Sequence, residues 1–105
     1  MSAATRVELH VVVERWRSPL HVRRTQELLL AVGVEIVPLT SEHAEIAREA
    51  FLTYGRGMNS RAKLNLGDCF SYALAKATGE PLLFVGNDFT HTDLLAAIPS
   101  YVREV

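Results

Sequence analysis

This 105-residue chain carries nine glutamates but only three aspartates, Asp68, Asp88 and Asp93, all beyond residue 67. Carboxylates gathered in one place suit Mg2+ or Mn2+, hard ions that prefer oxygen ligands and usually retain waters. Such a site can activate water and neutralise a phosphate in flight, which is what phosphodiester hydrolysis needs. The glutamate to add to the three aspartates is Glu8. At about 100° per residue of helix, Val11 lies about 60° to one side of Glu8 and Val12 about 40° to the other, with Ala4 nearby. A carboxylate boxed in this way is expected to be shielded from open water, and burial without a partner is costly. Two partners are open to it: Arg15, two turns along nearly the same face, or a metal ion shared with other carboxylates.

Each aspartate also has a purely structural reading. Asp88 follows an apolar run through Gly86 and Asn87, which places it just beyond the carboxyl end of a predicted strand, the edge where open α/β sheets bind ligands. The same Gly-Asn-Asp run would serve as a turn. Asp68 comes three residues after Asn65, the third helical position behind an asparagine cap, where a negative charge suits the helix dipole. Asp93 stands three residues after Thr90, the spacing of a capping box.

Zinc is disfavoured by the same inventory. His10, His21, His43 and His91 are scattered, none pairs with Cys69, and His10 with Glu14 lacks a third ligand at suitable spacing. The histidines are expected on exposed polar faces, and Cys69, the single cysteine, as a small buried hydrophobe unable to form an intrachain disulfide. The chain has no Walker loop, dinucleotide-binding glycine motif or nucleophile elbow, which argues against nucleotide-binding and serine-hydrolase chemistry.

The elements that must position these acids are marked by apolar periodicity and by Gly and Pro. Leu9, Val12, Val13 and Trp16 follow helical spacing and predict a helix over 4–16, capped by Ser2. Ser18 and Pro19 restart the chain into a second helix whose core positions are Val22, Leu28, Leu29 and Val32, stopped by Gly33. Residues 34–37 read as a short buried strand closed by Pro38. A third helix starts near Thr40 or Ser41 and lines up Ala47, Ala50, Phe51 and Tyr54, and residues 55–63 have loop composition. From Leu66 to Ala77 the pattern is helical again, ended by Gly79 and Pro81, and residues 82–85 form a second all-apolar strand. Apolar strands separated by helices indicate a layered α/β fold with a parallel sheet.

Composition bounds the rest. The chain is 49% apolar and 22% charged, with 11 Lys and Arg against 12 Asp and Glu for a net charge of −1, the profile of an ordinary globular domain and not of a general nucleic-acid coat protein. No apolar run approaches the roughly 20 residues needed to span a bilayer, and the first residues lack the layout of a signal peptide, so a cytoplasmic protein is expected.

Three blocks now bear comparison with a known family: residues 2–9, residues 64–75, which read Leu-Asn-Leu-Gly-Asp-Cys-Phe-Ser-Tyr-Ala-Leu-Ala, and residues 81–89, which read Pro-Leu-Leu-Phe-Val-Gly-Asn-Asp-Phe. In order and spacing they resemble the PIN-domain ribonucleases, specifically the VapC-type toxins of toxin–antitoxin pairs, and the run from Thr90 to Leu94 adds to the likeness. The resemblance implies a single PIN-like domain over 1–105, with a three-layer α/β fold in which a short parallel sheet is flanked by helices. It implies endonucleolytic cleavage of RNA, of the tRNA or ribosomal RNA class, dependent on Mg2+ or Mn2+ and inhibited by a VapB-type antitoxin, in a homodimer. Glu8, Asp68 and Asp88 match the family's acidic site, with Asp93 at a nearby acidic position. Arg56, Arg61 and Lys63, in the loop ahead of Asp68, are then candidates for holding RNA phosphates.

The departure from the family lies at the start. Members open with a hydrophobic strand ending in Asp followed by Thr or Ser, at the centre of the sheet. The expectation is therefore an N-terminally shortened domain that lacks this central strand, the following helix and most of a second strand, and with them one carboxylate. Two readings follow: a metal-dependent ribonuclease toxin with its acid set restored or replaced, or a catalytically impaired PIN module that acts through dimerisation or antitoxin binding.

Overall fold

The computed structural model describes residues 1–82 and 89–94. These residues contain four α-helices, α1 (Ala3–Glu14), α2 (Pro19–Val32), α3 (Ser41–Tyr54) and α4 (Leu66–Thr78), and a 3-10 turn at Phe89–His91. The chain divides into two compact units, Met1–Leu39 and Thr40–Val105.

In the first unit α1 packs against α2. The Ser2 hydroxyl caps α1 by accepting from the Ala4 N–H at 3.2 Å. The helix ends at Glu14, two residues short of the expected span, and Trp16 falls in the following turn. There it meets the His21 ring edge to face, with centroids 5.4 Å apart, and is 60% exposed, so it does not extend the apolar face. Helix α2 begins as expected, with Ser18 as cap and Pro19 in its first turn. It ends at Gly33, whose φ of 76° is left-handed backbone that a Cβ would strain.

The expected core positions of this unit are only partly filled. Val13 is the one buried side chain of α1, while Val12, Leu28 and Val32 are 45%, 62% and 68% exposed. Helix faces of this kind pack on a sheet in a layered fold. The strand expected at 34–37 is observed as one parallel bridge, Ser2 to Val37: the Ala3 N–H donates to the Val37 carbonyl at 2.8 Å and the Val37 N–H to the Met1 carbonyl at 2.9 Å. A ladder extends only as far as it has a partner, and here the pairing is one residue pair long.

The second unit holds a packed core. Helices α3 and α4 meet through small residues, Ala47 and Ala50 on one and Cys69 and Ala73 on the other, which permit close approach. Tyr72, Ala62, Leu64 and Phe89 complete the buried cluster, with Phe51, Tyr54, Phe70 and Leu82 against its rim. The predicted face of α3 is confirmed, with Ala47 and Ala50 buried and Phe51 and Tyr54 half-buried. The second bridge, Gly55 to Leu64, is also parallel and closes the expected loop. Among the described residues, therefore, the expected sheet is represented by isolated bridges and no extended strand. Three residues of the strand expected at 82–85 lie outside the described residues, as does Asp88.

Candidate functional site

Asp68 is the third residue of α4, and the helix begins where it does because of a reciprocal cap. The Asp68 N–H donates to Asn65 Oδ1 at 2.8 Å, and Asp68 Oδ2 accepts from the Asn65 N–H at 3.0 Å. The half-buried carboxylate is thus held in one rotamer at a helix N-terminus, where the dipole favours its charge. The structural role expected of Asp68 is present, and it fixes the side chain without taking it out of solvent.

Asp93 is held differently from the expected capping box with Thr90. One oxygen, Oδ1, accepts from the Tyr72 hydroxyl at 2.6 Å, and Oδ2 pairs with the Lys76 ammonium. Both donors lie on α4 one turn apart, so Asp93 ties the segment after the 3-10 turn to that helix. Lys76 and then Tyr72 hold the Asp93 carboxyl below the usual carboxylate range. Burial first, and the bond to Asp93 second, push the Tyr72 phenol well above its ordinary value, so the shared proton stays on Tyr72. The Thr92 hydroxyl supplies the local turn contact instead, donating to the Phe89 carbonyl at 2.7 Å.

Glu8 overturns an expectation. Its side chain is exposed, because its flanking residues Val11 and Val12 are themselves 44% and 45% exposed and cannot enclose it. A solvated carboxylate needs no partner, and none of the ion pairs among the described residues joins Glu8 to Arg15. Glu8 belongs to the first unit, and Asp68 and Asp93 to the second. Among the described residues, no three His, Cys, Asp or Glu side chains form a metal-binding group.

The three candidate cations are brought together. Arg56, Arg61 and Lys63 line one concavity of about 790 Å³ with Gly57, Asn59 and Ser60. The loop that presents them is closed at its neck, where the Leu64 N–H donates to the Tyr54 carbonyl and the Arg56 N–H to the Leu64 carbonyl, both at 2.8 Å.

Cys69 is fully buried, as expected, and its thiol is pushed up to about 11 by burial first and by the Asp68 charge second. A thiol that keeps its proton at neutral pH is a poor metal ligand. His43 departs from the expected exposed position: it is 8% exposed, with Nδ1 buried and lacking a hydrogen-bond partner. Its spacing to Ala47 and Ala50, four and seven residues on, was the available signal. Tyr72 and Lys76 were also missed as functional neighbours; their signal is the one-turn spacing on α4, but their partner is set by tertiary folding alone.

A PIN-domain family profile matches residues 1–95, a span that contains Glu8, Asp68, Asp88 and Asp93. The chain belongs to the PIN-domain family. It is 46% identical over 97 residues to VapC ribonuclease Mb2780c of Mycobacterium bovis, covering 92% of this chain and 74% of that protein. It is 42% identical over 98 residues to ribonuclease VapC28 of Mycobacterium tuberculosis, covering 93% and 74%. To ribonuclease VapC30 of the same species it is 45% identical over 94 residues, covering 90% and 71%. The PIN-domain chain is thus a VapC-type member with the α/β fold of its family, as the three blocks implied. No helix among the described residues is long and apolar enough to cross a membrane.

Proposed function

We propose that this PIN-domain chain is a divalent-metal-dependent endoribonuclease toxin whose metal ligands are Glu8, Asp68 and Asp88, acting within a single domain. The observation that carries the reading is the 46% identity to a VapC ribonuclease, with all four acids inside the matched family span. The donor chemistry fits: the candidates are carboxylates only, Cys69 is protonated and buried, and an all-oxygen set suits Mg2+ or Mn2+. When bound, such an ion supplies an activated water and offsets phosphate charge. The chain's part is to hold its carboxylates in place, and the cap that locks Asp68 does this at low cost in side-chain entropy. Asp93, with both oxygens engaged by α4, is read as an anchor for the segment that follows Asp88 rather than as a ligand.

The substrate is then RNA, of the tRNA or ribosomal RNA class, and the partners are a VapB-type antitoxin and a second copy of the chain. Large exposed apolar side chains on α1 and α2, among them Val7, Leu28 and Leu30, support the reading of protein partners. The test is RNA cleavage with Mg2+ or Mn2+, before and after chelation, by the natural chain and by Asp68→Asn. Loss of cleavage in both the chelated and the substituted samples is expected. Cleavage that survives both refutes the proposal.

A further inference from the structure

The loop over residues 55–64 is a charged patch that the acid site does not use. It carries Arg56, Arg61 and Lys63, and no acid occurs between Glu49 and Asp68. None of the three cations is in an ion pair among the described residues, yet all three line a single concavity. Like charges that line one concavity repel one another, an arrangement that a polyanion relieves.

The loop is also built to hold its shape. Its neck is closed by two backbone hydrogen bonds of 2.8 Å, and Ala62 and Leu64 are fully buried, so the exposed Arg61 and Lys63 alternate with two anchored residues. Gly55 sits so close to α3 that an added Cβ would lie 2.3 Å from the Phe51 carbonyl oxygen. Asn59 and Lys63 both adopt left-handed backbone, at φ 58° and 53°, strain that the anchored ends must sustain. Cations presented on a fixed loop cost less entropy on binding than cations on a mobile one.

The chemistry of the lining selects the kind of contact. Two guanidinium groups, an ammonium, an amide and a hydroxyl suit phosphate oxygens. Among the described residues no aromatic ring lines the concavity, so these residues offer no stacking platform for bases. Lys63 is two residues ahead of the Asn65 cap, and the loop therefore runs directly into the end of α4 that carries Asp68.

We propose that the 55–64 loop is a sequence-independent RNA-backbone site that holds the strand without metal and governs affinity rather than bond cleavage. The proposal rests on the ribonuclease reading for the identity of the polyanion, but its test does not require cleavage. The full chain is titrated against a fluorescein-labelled 12-mer oligouridylate in EDTA across a salt series, read by anisotropy. The comparison is the variant carrying Arg56→Gln, Arg61→Gln and Lys63→Gln, with its fold checked by circular dichroism and thermal melting.

Binding in EDTA is expected for the natural chain. The triple variant should flatten the slope of log affinity against log salt by about 2, from roughly 0.7 per lost phosphate contact on a single strand, and lose at least about ten-fold in affinity. An oligoadenylate of equal length should bind within about three-fold of the oligouridylate, because the contacts are to phosphate. An unchanged slope in the triple variant overturns the proposal, as does absence of binding in EDTA. Competition by a polyglutamate peptide as strong as by RNA would assign the loop to an acidic protein segment and overturn it too. If the triple variant misfolds, the three single variants replace it, each expected to flatten the slope by about 0.7. Binding without cleavage in Mn2+ would refute only the ribonuclease reading; cleavage with an unchanged salt slope in the variants would refute only the loop.

Discussion

The tie between Asp93 and Tyr72 can be isolated with a double-mutant cycle, Tyr72→Phe and Asp93→Ala, measured by urea unfolding at neutral pH. Tyr72 is 5% exposed and donates to Asp93 Oδ1 at 2.6 Å, a bond to a charged acceptor, for which about 1.5–3 kcal/mol is usual. The Asp93 side chain is 43% exposed, so water competes for the carboxylate, and the value is discounted to about 1 kcal/mol. Tyr72→Phe should therefore cost about 1 kcal/mol. Asp93→Ala should cost about 2 kcal/mol, since it also leaves the buried hydroxyl without its acceptor. The double variant has no stranded hydroxyl and should cost about 1 kcal/mol, less than Asp93→Ala alone, giving a coupling of about 2 kcal/mol.

The carboxyl of Asp93 is depressed in the folded chain, so its contribution is present above the ordinary carboxylate pKa and lost as pH falls through the folded value. The stability gap between the natural chain and Asp93→Asn should narrow in that acid window and stay constant from pH 5 to neutrality, a window set by the ordinary Asp pKa of about 3.9. Additivity of the two variants within about 0.3 kcal/mol would show that the bond does not tie the segment to α4 and would remove the basis for reading Asp93 as an anchor.

Two further outcomes follow from the same unit. Gly55→Ala should destabilise the chain by about 1–3 kcal/mol, because its Cβ would meet the Phe51 carbonyl oxygen at 2.3 Å; unfolding at the natural midpoint would contradict the close approach. Cys69, fully buried with its thiol at about 11, should react with iodoacetamide far more slowly in the native chain than in urea at pH 7.5, as followed by mass spectrometry. Equal rates would show that burial does not control the thiol.

Local signals in the sequence located most of the helices. Ser2, Ser18, Thr40 and Asn65 each cap the helix expected after them, and Gly33 and Gly79 stop theirs, because caps and left-handed stops are decided within a few residues. What failed depended on partners distant in sequence. The β-branched residues at 34–37 signal a strand, but the sequence cannot report its partner, and the observed pairing is a single bridge from Val37 to Ser2. Glu8 was placed correctly on its helix, yet the helical wheel cannot report that its apolar neighbours are themselves exposed. Asp93 and Tyr72 are 21 residues apart, beyond any local spacing rule, so a capping box was the nearest explanation for an acid that is held by another helix.

Asp68 is where the structural and chemical readings of the acids meet, and the cap does not compete with the chemistry. Asn65 supplies one N–H donor to Oδ2, and that bond restricts the rotamer of a half-buried carboxylate already favoured by the helix dipole. A ligand fixed in this way loses less entropy when a cation arrives, which is how a cap becomes part of a site. The two roles separate by substitution. Asparagine keeps an oxygen acceptor for the Asn65 N–H, so Asp68→Asn should unfold within about 1 kcal/mol of the natural chain while losing Mn2+ affinity and cleavage. Alanine removes the acceptor as well, so Asp68→Ala should lose about 1 kcal/mol more with no further loss of activity. If Asp68→Asn kept full Mn2+ affinity, measured by calorimetry, Asp68 would be a cap and nothing else.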